Sequence, residues 1–305
     1  MLEWRAPRIG HHKSMNKTNC SALIAAVIAA VLMGVLGFFV RETHCSAQGC
    51  SFARFIIGLV LIIPLVFCHK APGAGRLPFS LPAVLSGAGI SLCILFYFLA
   101  ITQISVGIAA LLLYTGPVFA AVGESLLRRS LPPRRDVLLM LASAAGIVLV
   151  TVCAGIPAAE QVQEPMGYAY GLLSGVCYAA YILLNRQIPG FISLSVRTFW
   201  QFAAGSLVLL VPLLLTDTPY AGVSTGWPYL LCIGVLQGFA VLLLVAYAVR
   251  RLTAIEFGTI SYLEPAVAVA LGWVVYGESI TPGQWCGFAL VLGASALQSL
   301  LPSKQ

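Results

Sequence analysis

Charge is what this sequence has least of. Asp, Glu, Lys and Arg supply 9% of its 305 residues, ten acidic and seventeen basic side chains in all. A water-soluble domain carries about 25% charged residues to cover its surface, so a soluble globular fold is excluded. Histidine is equally thin, at four residues. His11 and His12 stand in a polar tail, where two neighbours without further ligands hold a metal poorly, while His44 and His69 are far apart. No His-Glu-x-x-His occurs, which leaves no metal site and no cofactor fingerprint to build an enzyme around. The net charge of +7 would suit a nucleic acid only if Lys and Arg clustered with aromatics on a soluble face, and no such face exists.

Nine cysteines do not pair off evenly. Seven of them, Cys20, Cys68, Cys93, Cys153, Cys177, Cys232 and Cys286, lie in apolar runs, where a thiol packs as a small hydrophobe. Cys45 and Cys50 share a polar loop and can close a disulfide if that loop faces an oxidising compartment; two free thiols are the alternative.

What the chain has in abundance is apolar length: 60% of its residues are hydrophobic and its mean hydropathy is +0.96. Windows near the ~20 residues needed to cross a bilayer recur at 21–40, 51–68, 80–101, 105–125, 137–155, 166–185, 198–215, 229–249, 254–275 and 283–301. The fold class this predicts is an all-α integral membrane protein of ten transmembrane helices. Residues 1–20 read as a basic tail, with Met15 a second candidate start. The first window is too long for a signal-peptide core and is followed by more spans, so it reads as an uncleaved helix.

Charge placement orients the bundle. With the N-terminus inside, fifteen of the seventeen basic residues fall on the cytoplasmic side, Arg197 among them; the exceptions are Arg41 and Arg54. Cytoplasmic loops concentrate Lys and Arg in this way. Both termini are therefore expected in the cytoplasm of a multi-pass protein of the cell (inner) membrane. Glu42, Glu160, Glu164, Asp217, Glu278, Cys45 and Cys50 then face outward.

The chain repeats itself. A shift of 148 places Pro64 on Pro212, Ala100 on Ala248, Tyr114 on Tyr262 and Pro117 on Pro265. The repeats cover 21–155 and 166–301, each with five helices. Because five is odd, the second repeat enters the membrane upside down relative to the first. Inverted repeats with helices interrupted at matching positions point to a transporter whose site lies near the bilayer midplane; inherited packing kinks are the plainer explanation of the prolines.

Phe-Ala-Arg-Phe opening the second helix, Phe-Leu-Ala-Ile after Tyr97, Gly-Pro-Val-Phe at 116–119, Glu-Pro-Ala-Val at 264–267 and Tyr-Gly-Glu-Ser at 276–279 resemble the EamA-type family of the drug/metabolite transporter superfamily. The resemblance covers nearly all of residues 20–301. It implies movement of a small metabolite, amino acid or drug-like compound, by export in most members. One departure is visible: Glu278 closes the second repeat, whereas Ser130 stands at the matching place in the first.

Glu264 is the first candidate for meeting cargo or protons. A carboxylate at bilayer depth costs roughly 2.5–3.5 kcal/mol, and a desolvated one can carry a proton or pair with a cationic group; holding the break at Pro265 in shape is the structural alternative. Ser261 shares its face one turn earlier. Ser174, Tyr178, Tyr181 and Asn185 form a stripe on the sixth helix that should not face lipid, although Asn185 is close enough to the helix end to join the headgroup belt. Tyr97, Tyr114, Tyr262 and Gln237 are further intramembrane polar groups. Together they suggest an aromatic chamber with one carboxylate, suited to amphipathic or cationic cargo. Arg54 is expected to snorkel to water or pair with Glu42, and Glu124 and Glu256 to pair locally with Arg128 and Arg251. The glycines at 171 and 175, and at 234 and 238, let helices approach closely, for packing inside the bundle rather than dimerisation. The expected function is secondary transport by alternating access, with protons as candidate partners. A membrane-embedded enzyme and a non-transporting scaffold are the rival classes.

Overall fold

A computed structural model describes residues 17–68, 78–101, 103–104, 106–153, 165–276 and 281–300. The tail with His11, His12 and Met15, and the loop residues His69, Glu160, Glu164 and Glu278, lie outside this set. Among the described residues there is no strand. Among the described residues nine helical spans are long and apolar enough to cross a membrane: α1 Cys20–Val40, α2 Gln48–Phe67, α3 Leu81–Ala100, α4 Ile108–Arg128, α5 Arg134–Val152, α6 Pro165–Gln187, α7 Leu194–Leu214, α8 Val223–Val249 and α9 Ala254–Val275. A tenth helix, α10, runs Pro282–Leu300. In hydrocarbon every backbone group must bond within its own segment, so β-branched runs such as those of α2 still coil into helices. Large side chains such as Val60, Phe67, Leu138 and Leu214 are exposed, while Ala22, Ala26, Ala29 and Ala30 of α1 are buried. Small residues turned inward let helices pack without a hydrophobic driving force.

Both predicted proline breaks are present, and the covalent geometry of proline locates them. Proline lacks an N–H and its ring clashes with the carbonyl four residues back. The first part of α4 ends at Leu113 and the first part of α9 at Ser261, each four residues before its proline. Helix resumes at Gly116 with Pro117 in its first turn and at Leu263 with Pro265 close behind, where a missing donor costs nothing.

Two equivalent pairs of helices from the two repeats, α2 with α7 and α5 with α10, cross antiparallel, as inversion requires. Phe55 of α2 seats its ring on Gly205 of α7, and Phe202 of α7 seats its ring on Gly58 of α2. The two rings meet edge to face at 6.0 Å. In the α5–α10 pair, Gly146 and Gly287 each face the other's carbonyl. A side chain at Gly205 would begin 2.3 Å from the Phe55 ring. Gly205→Val is therefore expected to cost about 1–3 kcal/mol by overpacking, read as a lower Tm of the purified protein, with Gly58→Val doing the same on the other side of the crossing.

Two elements depart from the expected windows. The Ser193 hydroxyl accepts from the Val196 N–H and caps α7 at Leu194, four residues upstream of expectation, which draws Arg197 into the helix. Helix α8 starts at Val223 rather than 229 and carries a π-helical stretch over Ile233–Ala240, a local widening that often accompanies functional sites.

Candidate substrate and coupling site

The two proline breaks meet. The Tyr262 hydroxyl donates to the Tyr114 carbonyl at 2.8 Å, and the two rings lie 5.8 Å apart. These are the tyrosines that the 148-residue shift superposes, so the repeat axis passes between them. Tyr114 leaves helix geometry at the break in α4, which frees its carbonyl for an outside donor. Gly258 of α9 packs directly on Pro117.

Glu264 occupies the first turn after the break in α9. Its carboxyl group accepts a hydrogen bond from the Tyr114 side chain and lies in the field of the Arg54 guanidinium. Tyr97 and Tyr178 are within the same electrostatic range. Glu264 is only half-buried, so it borders accessible space although helices surround it. Tyr178 reaches toward Ser261 with its hydroxyl at 3.5 Å and stacks on Tyr181 at 6.3 Å. The structure thus gathers Glu264, Tyr114, Tyr262, Tyr97, Tyr178, Tyr181 and Ser261 around one point. Ser174 is buried but spends its hydroxyl on the Gly171 carbonyl at 2.6 Å.

Gln237 stands slightly apart. Its carbonyl accepts from Arg54 Nε at 2.9 Å, and its side-chain amide donates to the Leu32 carbonyl. It ties α8 to α2 and α1 from within the π-helical stretch. Arg54 does not snorkel: it is 6% exposed, held inside by Gln237 and drawn toward Glu264. The position of an arginine two turns into a helix does not distinguish these outcomes; the partner on α8 decides.

Asn185 is not in the headgroup belt, since it is 1% exposed, and Arg197, expected in a cytoplasmic loop, is likewise 1% exposed. The Cys45–Cys50 bridge is absent: both thiols are free, and Cys50 Sγ sits 3.3 Å from the Thr43 hydroxyl. Glu124 pairs with Arg128 at 2.9 Å, as expected, and also with Arg186 of α6 at 2.8 Å. It further accepts from the Ala254 N–H at 2.7 Å, which joins α4 to the start of α9. Glu256 closes a capping box with Thr253. The glycine pairs do serve packing: Gly171 and Gly175 lie against α4, Gly234 and Gly238 against α2.

A cavity of about 340 Å³ lies away from Glu264. It opens at the basic end between α4, α5 and α9, lined by Glu124, Ser125, Arg128, Asp136 and Thr253. At Arg54 a crevice of about 10 Å³ reaches in from the other end.

Residues 20–152 and 165–300 each match the EamA-like transporter family. The chain belongs to the EamA-like transporter family. The two matches coincide with the two inverted repeats, and membership makes the chain a membrane transporter with a small-molecule substrate. Among EamA-like relatives, an uncharacterized transporter of Archaeoglobus fulgidus is 27% identical over 270 residues, covering 88% of this chain and 92% of its own. The threonine/homoserine exporter RhtA of Escherichia coli K12 is 25% identical over 269 residues, covering 85% and 84%. A solved crystal structure shares the fold with a TM-score of 0.77, at 21% identity and covering 92% of this chain and 98% of that one.

Proposed function

We propose that this chain exports a small amino-acid-like metabolite across the cell membrane by alternating access, coupled to protons through Glu264. The observation that carries the reading is the meeting of the two breaks: a repeat axis passing between Tyr114 and Tyr262, with one titratable carboxylate beside it. Two half-broken helices of opposite sense can exchange access between the membrane faces by rocking about such a point. Arg54 and Tyr114 hold the carboxylate while no cargo is present; a proton or a cationic group arriving there competes for it. The basic ends of α4, α6 and α8 favour cytoplasmic termini. The printed activity of the RhtA relative supports an amino acid as the first cargo to try, with drug-like cations as the second.

The test is efflux. Cells overproducing the protein and loaded with labelled threonine or homoserine are expected to lose label several-fold faster than vector controls, and to tolerate toxic analogues of these amino acids. Purified protein that converts a compound chemically without moving it would overturn the proposal in favour of a membrane-embedded enzyme.

A further inference from the structure

A second polar cluster lies buried toward the basic end, away from Glu264. Arg197 Nη2 donates to the Asn185 carbonyl at 2.7 Å and to its side-chain oxygen. Gln201 Nε2 donates to the same oxygen at 2.9 Å and to the Ser86 hydroxyl at 2.9 Å. Tyr181 closes the cluster on the side facing the central site. Arg197 pairs with no carboxylate among the described residues, and the neighbouring charges that act on it, Arg250 and Arg251, are cations.

The C-terminal end of α6 accounts for part of this, because a cation there meets the negative end of the helix dipole. It does not account for the rest. Arg197 Nε, the Thr198 hydroxyl and Gln201 Oε1 are buried with no hydrogen-bond partner, and the Asn185 side-chain amide has only the Tyr181 hydroxyl beside it. A cap needs one guanidinium nitrogen; this arrangement leaves Arg197 Nε unused, with the Thr198 hydroxyl, next along the helix, also unpartnered. Unpaired donors beside a buried arginine are the complement of a carboxylate, whose two oxygens accept several such bonds at once.

We propose that Arg197, Asn185 and Thr198 form a subsite for the carboxylate of a small acid or zwitterion, reached from the basic end before cargo arrives at Glu264. The subsite rests on the transport reading for its purpose, though not for its detection. The stack of Tyr178 on Tyr181 links the two places, and seven residues of helix α6 separate Tyr178 from Asn185, about 10 Å along its axis.

Purified protein in nanodiscs, titrated with acetate, lactate and L-threonine, with L-threoninamide as the carboxylate-free control, reads the subsite through ligand-induced rises in Tm. At least one carboxylate is expected to stabilise the wild type, and the amide is not. Arg197→Gln should weaken that binding at least about 30-fold, in the range for hydrogen bonds to charged groups. Arg197→Lys keeps the charge and the cap but loses the planar fork, and should weaken it about tenfold. If the Gln variant does not fold, the Lys variant decides. A wild type that no carboxylate stabilises, or a Lys variant that responds like wild type, overturns the subsite. Carboxylate binding without any flux in the efflux assay leaves the subsite standing and overturns the transport reading instead.

Discussion

Replacing Glu264 with Gln is expected to reduce pH-gradient-driven transport at least about 100-fold, the low end of what loss of a proton-transferring side chain costs. Gln has nearly the size of Glu and can accept the Tyr114 hydrogen bond that the carboxyl group accepts, so the break at Pro265 keeps its shape. What Gln cannot do is take up and release a proton. Vesicles that hold the variant at wild-type density and show unchanged gradient-driven flux would make Glu264 a structural residue and move coupling elsewhere.

The second large effect is on stability, and it is asymmetric. Arg54 is buried beside Glu264, and an arginine stays charged under all ordinary conditions. Glu264→Gln therefore leaves a buried cation without the carboxylate whose field acts on it, and is expected to lower the Tm of the purified protein. Arg54→Gln should lower it by less than half as much, because the carboxyl group left behind can accept a proton and become neutral. The double variant is expected to recover most of the loss. It also separates the two predictions: stable again but without a titratable group at 264, it should remain unable to use a pH gradient. A double variant no more stable than Glu264→Gln alone would show that the two side chains do not interact.

Much of this architecture was legible in the sequence because its causes are local. Ten apolar windows set ten helices, and the loss of a donor at Pro117 and Pro265 set two breaks. The recurrence of both prolines at one spacing gave the inverted repeat. The cluster around Glu264 followed from the same symmetry, since residues next to the repeat axis must meet their own counterparts; Tyr114 and Tyr262 do. What stayed hidden depends on partners distant in sequence. Arg54 and Arg197 both sit near helix ends, where snorkelling to water is the cheaper default. Arg54 is held by a carbonyl on α8, 183 residues away, and Arg197 by Asn185 on α6. Asn185 itself belonged to the predicted polar stripe of α6, and its regular spacing with Tyr181 was the signal that it turns inward. The π-helical stretch of α8 left no mark in the residue pattern.

Alternating access requires the two halves to move about the paired breaks, and a pair of distance measurements tests that most directly. Spin labels at Leu131 and Phe191, exposed at the basic end, report one face; labels at His44 and Leu215, exposed at the other, report the opposite face. In a cysteine-free background reconstituted in nanodiscs, cargo and acid pH are expected to change the two distances in opposite senses, one end closing as the other opens, and Glu264→Gln should lose the response to pH. Two distances that stay fixed under every condition that supports flux, or that lengthen and shorten together, would contradict alternating access in this protein.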